Sequence, residues 1–126
     1  MSEWGGVPAV RESGFAAEVT SVEPLVLVMR GNADATVETA LGELVEQLHR
    51  LAAAQHARVV RVDLSQVEFM NASSLNAFTL WLTLIEELPA ADRYVLRFTL
   101  DPKRLWQHRS LRTLSCFASE LVEVEP

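Results

Sequence analysis

Apolar and polar positions alternate or cluster in a readable order along the chain. Phe15 to Thr20 and Leu25 to Arg30 are short, β-prone runs separated by Ser21-Val22-Glu23-Pro24, and they predict an antiparallel hairpin. Gly31-Asn32-Ala33-Asp34 has the chemistry of a turn. Beyond it Val37, Ala40, Leu41, Leu44, Val45, Leu48, Leu51 and Ala52 recur at helical spacing. At 100° per residue they fill an arc of roughly 140° with no polar intruder, so this helix buries one face. Val59-Val60-Arg61-Val62-Asp63-Leu64 is the best strand, and its nearly continuous apolar character predicts a central parallel strand covered on its faces. Ser65 to Met70 reads as a connection to Asn71-Ala72-Ser73-Ser74, which holds three helix-capping side chains. A second helix follows to Leu88 and stops before Pro89. Tyr94 to Thr99 is a strand. Asp101-Pro102 predicts a third helix, with Asp as cap and Pro in its first turn, running to Leu114. Leu121 to Val124 closes the order as an edge strand. The alternation β-β-α-β-α-β-α-β implies an α/β layer fold. Residues 1 to 14 carry three glycines and Pro8 and read as a loose arm ahead of one domain over 15–126.

The second helix carries the strongest functional signal. Its polar residues Asn76, Thr79, Thr83, Glu86 and Glu87 occupy an arc of only about 100°, leaving about 220° apolar. A helix resting on a sheet needs about half of that width. The excess is either buried between the sheet and a neighbouring helix or displayed as a docking surface along Ala77, Leu80 and Leu84. The start of the same helix has unsatisfied N–H groups and the positive end of the helix dipole. Ser73 and Ser74 sit there, either as plain caps or as hydroxyls where a phosphate would be tolerated.

Charge and composition narrow the rest. The chain of 126 residues is 49% hydrophobic and 22% charged, an ordinary globular composition, with a net charge of −6. That balance disfavours nonspecific nucleic-acid binding, which needs a summed positive field. The lone Cys116 forms no internal disulfide and suits a reducing compartment. The longest unbroken apolar run, Leu25 to Met29, is far short of the roughly 18 residues that span a bilayer. The first residues lack a signal-peptide pattern, so the expected location is the cytoplasm. His49, His56 and His108 have no metal-ligand spacing with Cys116 or the acids. No Gly-x-Ser-x-Gly elbow, no dinucleotide fingerprint and no phosphate loop occurs, so the expectation is a non-enzyme without cofactor or metal. Residues 101 to 114 hold Lys103, Arg104, Arg109 and Arg112 against Asp101, a local charge of +3 that leaves −9 for the remainder. This is either a solvated helix face paired with nearby Glu residues or a face that steers an acidic partner.

Val59 to Leu75, ending Asp63-Leu64-Ser65-Gln66-Val67-Glu68-Phe69-Met70-Asn71-Ala72-Ser73-Ser74-Leu75, resembles the signature of STAS domains of the anti-sigma factor antagonist type. There a strand ending Asp-Leu-Ser is followed by Val, an aromatic and an apolar residue, then Asp-Ser-Ser-Gly-Leu opening a helix. Arg30-Gly31-Asn32-Ala33-Asp34-Ala35 is similar to the family's Gly-Glu-Leu-Asp turn. Trp106 to Leu111 is similar to a bacterial subgroup with Met-Asn-Ser-Ser at the helix start. The resemblance spans about residues 15 to 124. It implies a STAS-like α/β domain with a four- to five-stranded mixed sheet and helices mainly on one face. It also implies a noncatalytic module that docks an ATP-binding serine kinase, anti-sigma-type protein or PP2C-like phosphatase. In the family the partner phosphorylates the first serine of Asp-Ser-Ser-Gly. Here Asn71 replaces the Asp, Ala72 stands at the phosphoacceptor, Ser73 matches the second serine and Ser74 replaces the glycine. The expected partner surface is therefore Asn71, Ala72, Ser73, Ser74, Ala77, Leu80 and Leu84, docking without modification at residue 72. Ser73 and Ser74 are the remaining candidate acceptors. The alternatives are an assembly role, as a homodimer or fixed subunit of a complex such as a transporter ATPase, and a ligand-sensing STAS domain.

Overall fold

The computed structural model describes residues 10–125 apart from 13 and 23. The chain runs β1 (Val10–Glu12), β2 (Phe15–Val22), β3 (Leu25–Ala33), α1 (Glu38–Gln55), β4 (Val59–Met70), α2 (Ala72–Glu86), β5 (Val95–Thr99), α3 (Leu105–Phe117) and β6 (Val122–Glu125). The strands lie in sequence order in one six-stranded sheet. β1, β2 and β3 pair antiparallel, then β3 to β6 pair parallel. Each parallel step moves the same way across the sheet, and such crossovers are right-handed, so all three helices fall on one face. The α/β expectation with a mixed sheet and helices on one face is borne out, with β1 as an added edge strand. The expected N-terminal arm lies outside the described residues as far as residue 9, while Val10–Glu12 is paired with β2.

Strand alternation builds the core. Leu25, Leu27 and Met29 of β3, Val60, Val62 and Leu64 of β4, and Leu96 and Phe98 of β5 point under the helices and are buried. They meet Leu41, Leu44, Val45, Leu48 and Ala52 of α1 and Phe78, Trp81, Leu82 and Ile85 of α2 in one cluster. Among the described residues no layer lies over the opposite face. β4 is therefore covered on one face only, contrary to expectation, because Arg61 and Asp63 interrupt its apolar run at every second residue. Arg61 reaches Glu125 at 3.3 Å, Arg97 reaches Glu123 at 2.8 Å and Arg30 reaches Glu18 at 3.5 Å across this open face.

Four boundaries depart from the sequence pattern. β4 does not stop at Leu64; it continues through Met70, paired with Arg30 to Ala33 of β3. The pairing shifts register twice there, so burial loses its strict alternation and the segment looks like a connection. Gly31 to Ala33 are accordingly strand, not turn. Gly31 has φ +96°, and a Cβ on it would lie 2.0 Å from the Gly14 carbonyl oxygen, so only glycine lets β2 and β3 approach here. Finally, Asp101 does not cap α3. Its Oδ1 accepts the Lys103 N–H at 3.0 Å, which closes a turn, and the helix begins at Leu105. α2 ends at Glu86, two residues before the expected Leu88.

Candidate functional site

The segment joining β4 to α2 is held by its own backbone and caps. The Asn71 N–H donates to the Ala33 carbonyl at 2.9 Å, which ties the loop to the end of β3. Asn71 is extended, and its Oδ1 accepts the Ser74 N–H at 2.8 Å. That is the N-cap arrangement that the Asn-x-x-Ser spacing suggests. Ala72 follows as the first, exposed residue of α2, and Ser73 is half-buried. Ser74 is fully buried, and its hydroxyl donates to the Asp34 carbonyl at 3.0 Å. Asp34 itself is exposed. Its carboxylate accepts the Thr36 hydroxyl at 2.6 Å and the Thr36 N–H at 2.9 Å. Those two hydrogen bonds hold the Asp34 carboxyl below its ordinary range. Upstream, Glu68 is exposed and Phe69 is 51% exposed. The helix start thus presents Phe69 and Ala72 outward while Asn71 and Ser74 fix the geometry beneath them.

The flank of α2 is more covered than its apolar arc suggests. Phe78, Trp81, Leu82 and Ile85 are completely buried, and Ala77 is nearly so at 7% exposure. Leu80 and Leu84 are half-buried against the same core. Burial between the sheet and the neighbouring helices therefore accounts for most of the arc. The structure brings Asn71, Ala72, Ser73 and Ser74 together, leaves Leu80 and Leu84 partly open, and closes Ala77 under its neighbours.

A polar network lies where the sequence offers no motif. The Trp81 Nε1–H donates to the Tyr94 hydroxyl at 2.8 Å, and that hydroxyl lies 2.6 Å from His49 Nδ1. The direction of the second bond follows the His49 tautomer, since the hydroxyl can donate to Nδ1 or accept from it. Burial raises the Tyr94 phenol, with the Trp81 hydrogen bond opposing. Burial also lowers His49, with Glu87 opposing and Arg50 adding to the fall. His49 thus joins α1 to the start of β5, while His56 ends α1 in the left-handed conformation.

An open groove of about 670 Å³ lies at the carboxyl edge of β3 and β4, lined among others by Arg30, Ser65, Glu68, Asp101 and Arg104. Of the charges lining it, Arg104 lies 3.3 Å from Asp101, while Arg30 reaches Glu18 at 3.5 Å. Asp63, at the outer face of β4, accepts the Ser65 N–H at 2.9 Å and the Ser65 hydroxyl at 2.7 Å, fixing the backbone there. Among the described residues no cluster of His, Cys, Asp or Glu is arranged to hold a metal ion, and no helix is long and apolar enough to cross a membrane.

No family model matches the chain, and no curated protein sequence does. Solved structures do. The chain is similar to an anti-sigma factor antagonist from Mycobacterium paratuberculosis, with a TM-score of 0.61 and 17% identity over 89% of this chain and 86% of that one. It is also similar to the Bacillus cell fate determinant SpoIIAA in its phosphorylated form, with a TM-score of 0.53 and 16% identity over 89% of this chain and 91% of that one. The fold that the motif over Val59 to Leu75 implies, the STAS fold of anti-sigma factor antagonists, is the fold of this chain.

Proposed function

We propose that this STAS-fold chain is a noncatalytic regulatory module that docks a partner protein with the start of α2 and the loop before it. The partner class is an ATP-binding serine kinase, an anti-sigma-type protein or a PP2C-like phosphatase. The observation that carries the reading is the helix start itself. It is capped and turned outward in a fold shared with an anti-sigma factor antagonist and with the phosphorylated Bacillus cell fate determinant SpoIIAA, yet the exposed residue at the phosphoacceptor position is Ala72. Docking is then constitutive at this position. Ser74 is a poor acceptor as folded, since its hydroxyl is buried and donated to Asp34. Ser73 is the remaining hydroxyl near the surface.

The test is co-purification with the partner kinase or phosphatase, using Ala72→Glu and Leu80→Asp variants whose folding is checked by circular dichroism. Ala72→Glu places a carboxylate on an exposed position and should keep the fold while weakening capture at least tenfold. Unchanged capture by both variants overturns the assignment of this surface. Stoichiometric phosphate on Ser73, read by mass spectrometry after incubation with the kinase, overturns the constitutive reading.

A further inference from the structure

α3 buries Gln107, Leu111 and Leu114 and turns its other side to solvent. Projected at 100° per residue, Leu105, Arg109, Arg112 and Cys116 fall within an arc of roughly 60° pointing away from that buried line. All four are exposed, as is Lys103 in the preceding turn. Leu105 is the most exposed large hydrophobic side chain among the described residues, at 65%. The strip is also held rigidly. The Gln107 Nε2 group donates to the Leu64 and Val67 carbonyls at 2.7 and 2.9 Å, and Gln107 Oε1 accepts the Asp101 N–H at 2.8 Å. The start of α3 is thereby fastened to β4, so a partner would meet a surface already ordered.

The cations of this strip differ from those of the open sheet face. On the open sheet face Arg30, Arg61 and Arg97 each meet a glutamate, and Arg104 meets Asp101. The side chains of Lys103, Arg109 and Arg112 form no ion pair or hydrogen bond among the described residues. Acids are not scarce, since the chain has 17 against 11 cations. The expectation that nearby Glu residues pair with this face is not met.

We propose that the outer face of α3, Leu105 flanked by Lys103, Arg109 and Arg112, is a docking face for an acidic segment of a partner protein that carries aliphatic side chains among its carboxylates. Leu105 supplies the apolar anchor and the three cations supply steering and charge pairing. Nucleic acid fits less well, because a protruding leucine gains nothing from a phosphate backbone, whereas aliphatic side chains set among carboxylates would cover it. This face belongs to a different helix from the start of α2 and stands or falls independently of that surface.

The experiment titrates the full chain, isotopically labelled, with a synthetic peptide of Glu and Leu at helical spacing, with its Lys-for-Glu counterpart, and with a short DNA duplex. The Glu/Leu peptide should shift backbone amide signals within residues 103–117 and bind more weakly as salt rises. The double variant Arg109→Glu, Arg112→Glu should weaken binding roughly tenfold or more, and Leu105→Ser should weaken it severalfold. Leu80→Asp should leave this binding unchanged. Four results overturn the proposal: no shifts in α3, shifts confined to the start of α2, equal binding by the charge-reversed variant, or DNA binding α3 more tightly than the peptide.

Discussion

Two histidines on α1 do different work because of where the helix leaves them. His56 occupies the position after the last turn with φ 55° and ψ 44°, and its N–H caps the Ala52 and Ala53 carbonyls. A side chain with a Cβ is strained there, and glycine is the usual occupant. His56→Gly should therefore raise stability by about 0.5–1 kcal/mol in urea unfolding, the strain relief exceeding the added freedom of the unfolded chain. Burial lowers the His49 imidazole below its ordinary value, with Glu87 opposing and Arg50 adding to the fall. Protonating it places a charge in a partly buried site, where burial disfavours it and Arg50 adds to the cost. Its pKa is lowered on folding from an ordinary 6.5, so its contribution is complete above that pH and is lost as pH falls through the lower folded value. Urea midpoints compared at about pH 7.5 and about pH 5 should fall further for the wild type than for His49→Gln. An equal fall in the two proteins would remove His49 as the cause.

At the scale of elements, α1, α2, the β2–β3 hairpin and β5 follow from spacing and propensity, because each buries one regular face. What the pattern hides is set by partners distant in sequence. The tail of β4 is strand only because β3 also extends to Ala33, and its register shifts place Gln66, Glu68 and Phe69 where a turn would also put them. Asp101-Pro102 has the chemistry of a helix start, yet Asp101 spends its carboxylate on the Lys103 N–H and the helix waits until Leu105. The site divides in the same way. The Asn71 cap is local and readable, whereas the lock from Ser74 to Asp34 spans 40 residues and the His49–Tyr94 contact spans 45. Gln107 is another long-range tie, since it joins α3 to two carbonyls of β4. Gln107→Leu matches the volume but leaves the Leu64 and Val67 carbonyls and the Asp101 N–H without partners. It should cost about 2–4 kcal/mol in denaturant unfolding. A loss under about 1 kcal/mol would show that water replaces the amide.

The described residues form one sheet with a single helix layer on one face, so their stability is concentrated on that side. The core cluster draws on β2 to β6 and on all three helices without a break. Phe98 sits inside it, completely buried, with its ring 5.3 Å from Phe78 in an edge-to-face contact. On the other face Glu125 pairs with Arg61 and accepts the Thr99 hydroxyl at 2.9 Å, but the Arg61 and Glu125 side chains remain 44% and 31% exposed. Water screens that pair and competes with it, so its net contribution is small. Phe98→Ala should therefore cost about 3–5 kcal/mol, while Glu125→Ala should cost under about 1 kcal/mol. Because no helix has a core of its own, loss of Phe98 is felt by α2 and the sheet together. Far-ultraviolet circular dichroism and tryptophan fluorescence should then report one coincident transition in both variants. Separate transitions would mean that α3, with Trp106 on it, can leave the sheet while α1 and α2 stay packed, and the single-core account of the molecule would have to be given up.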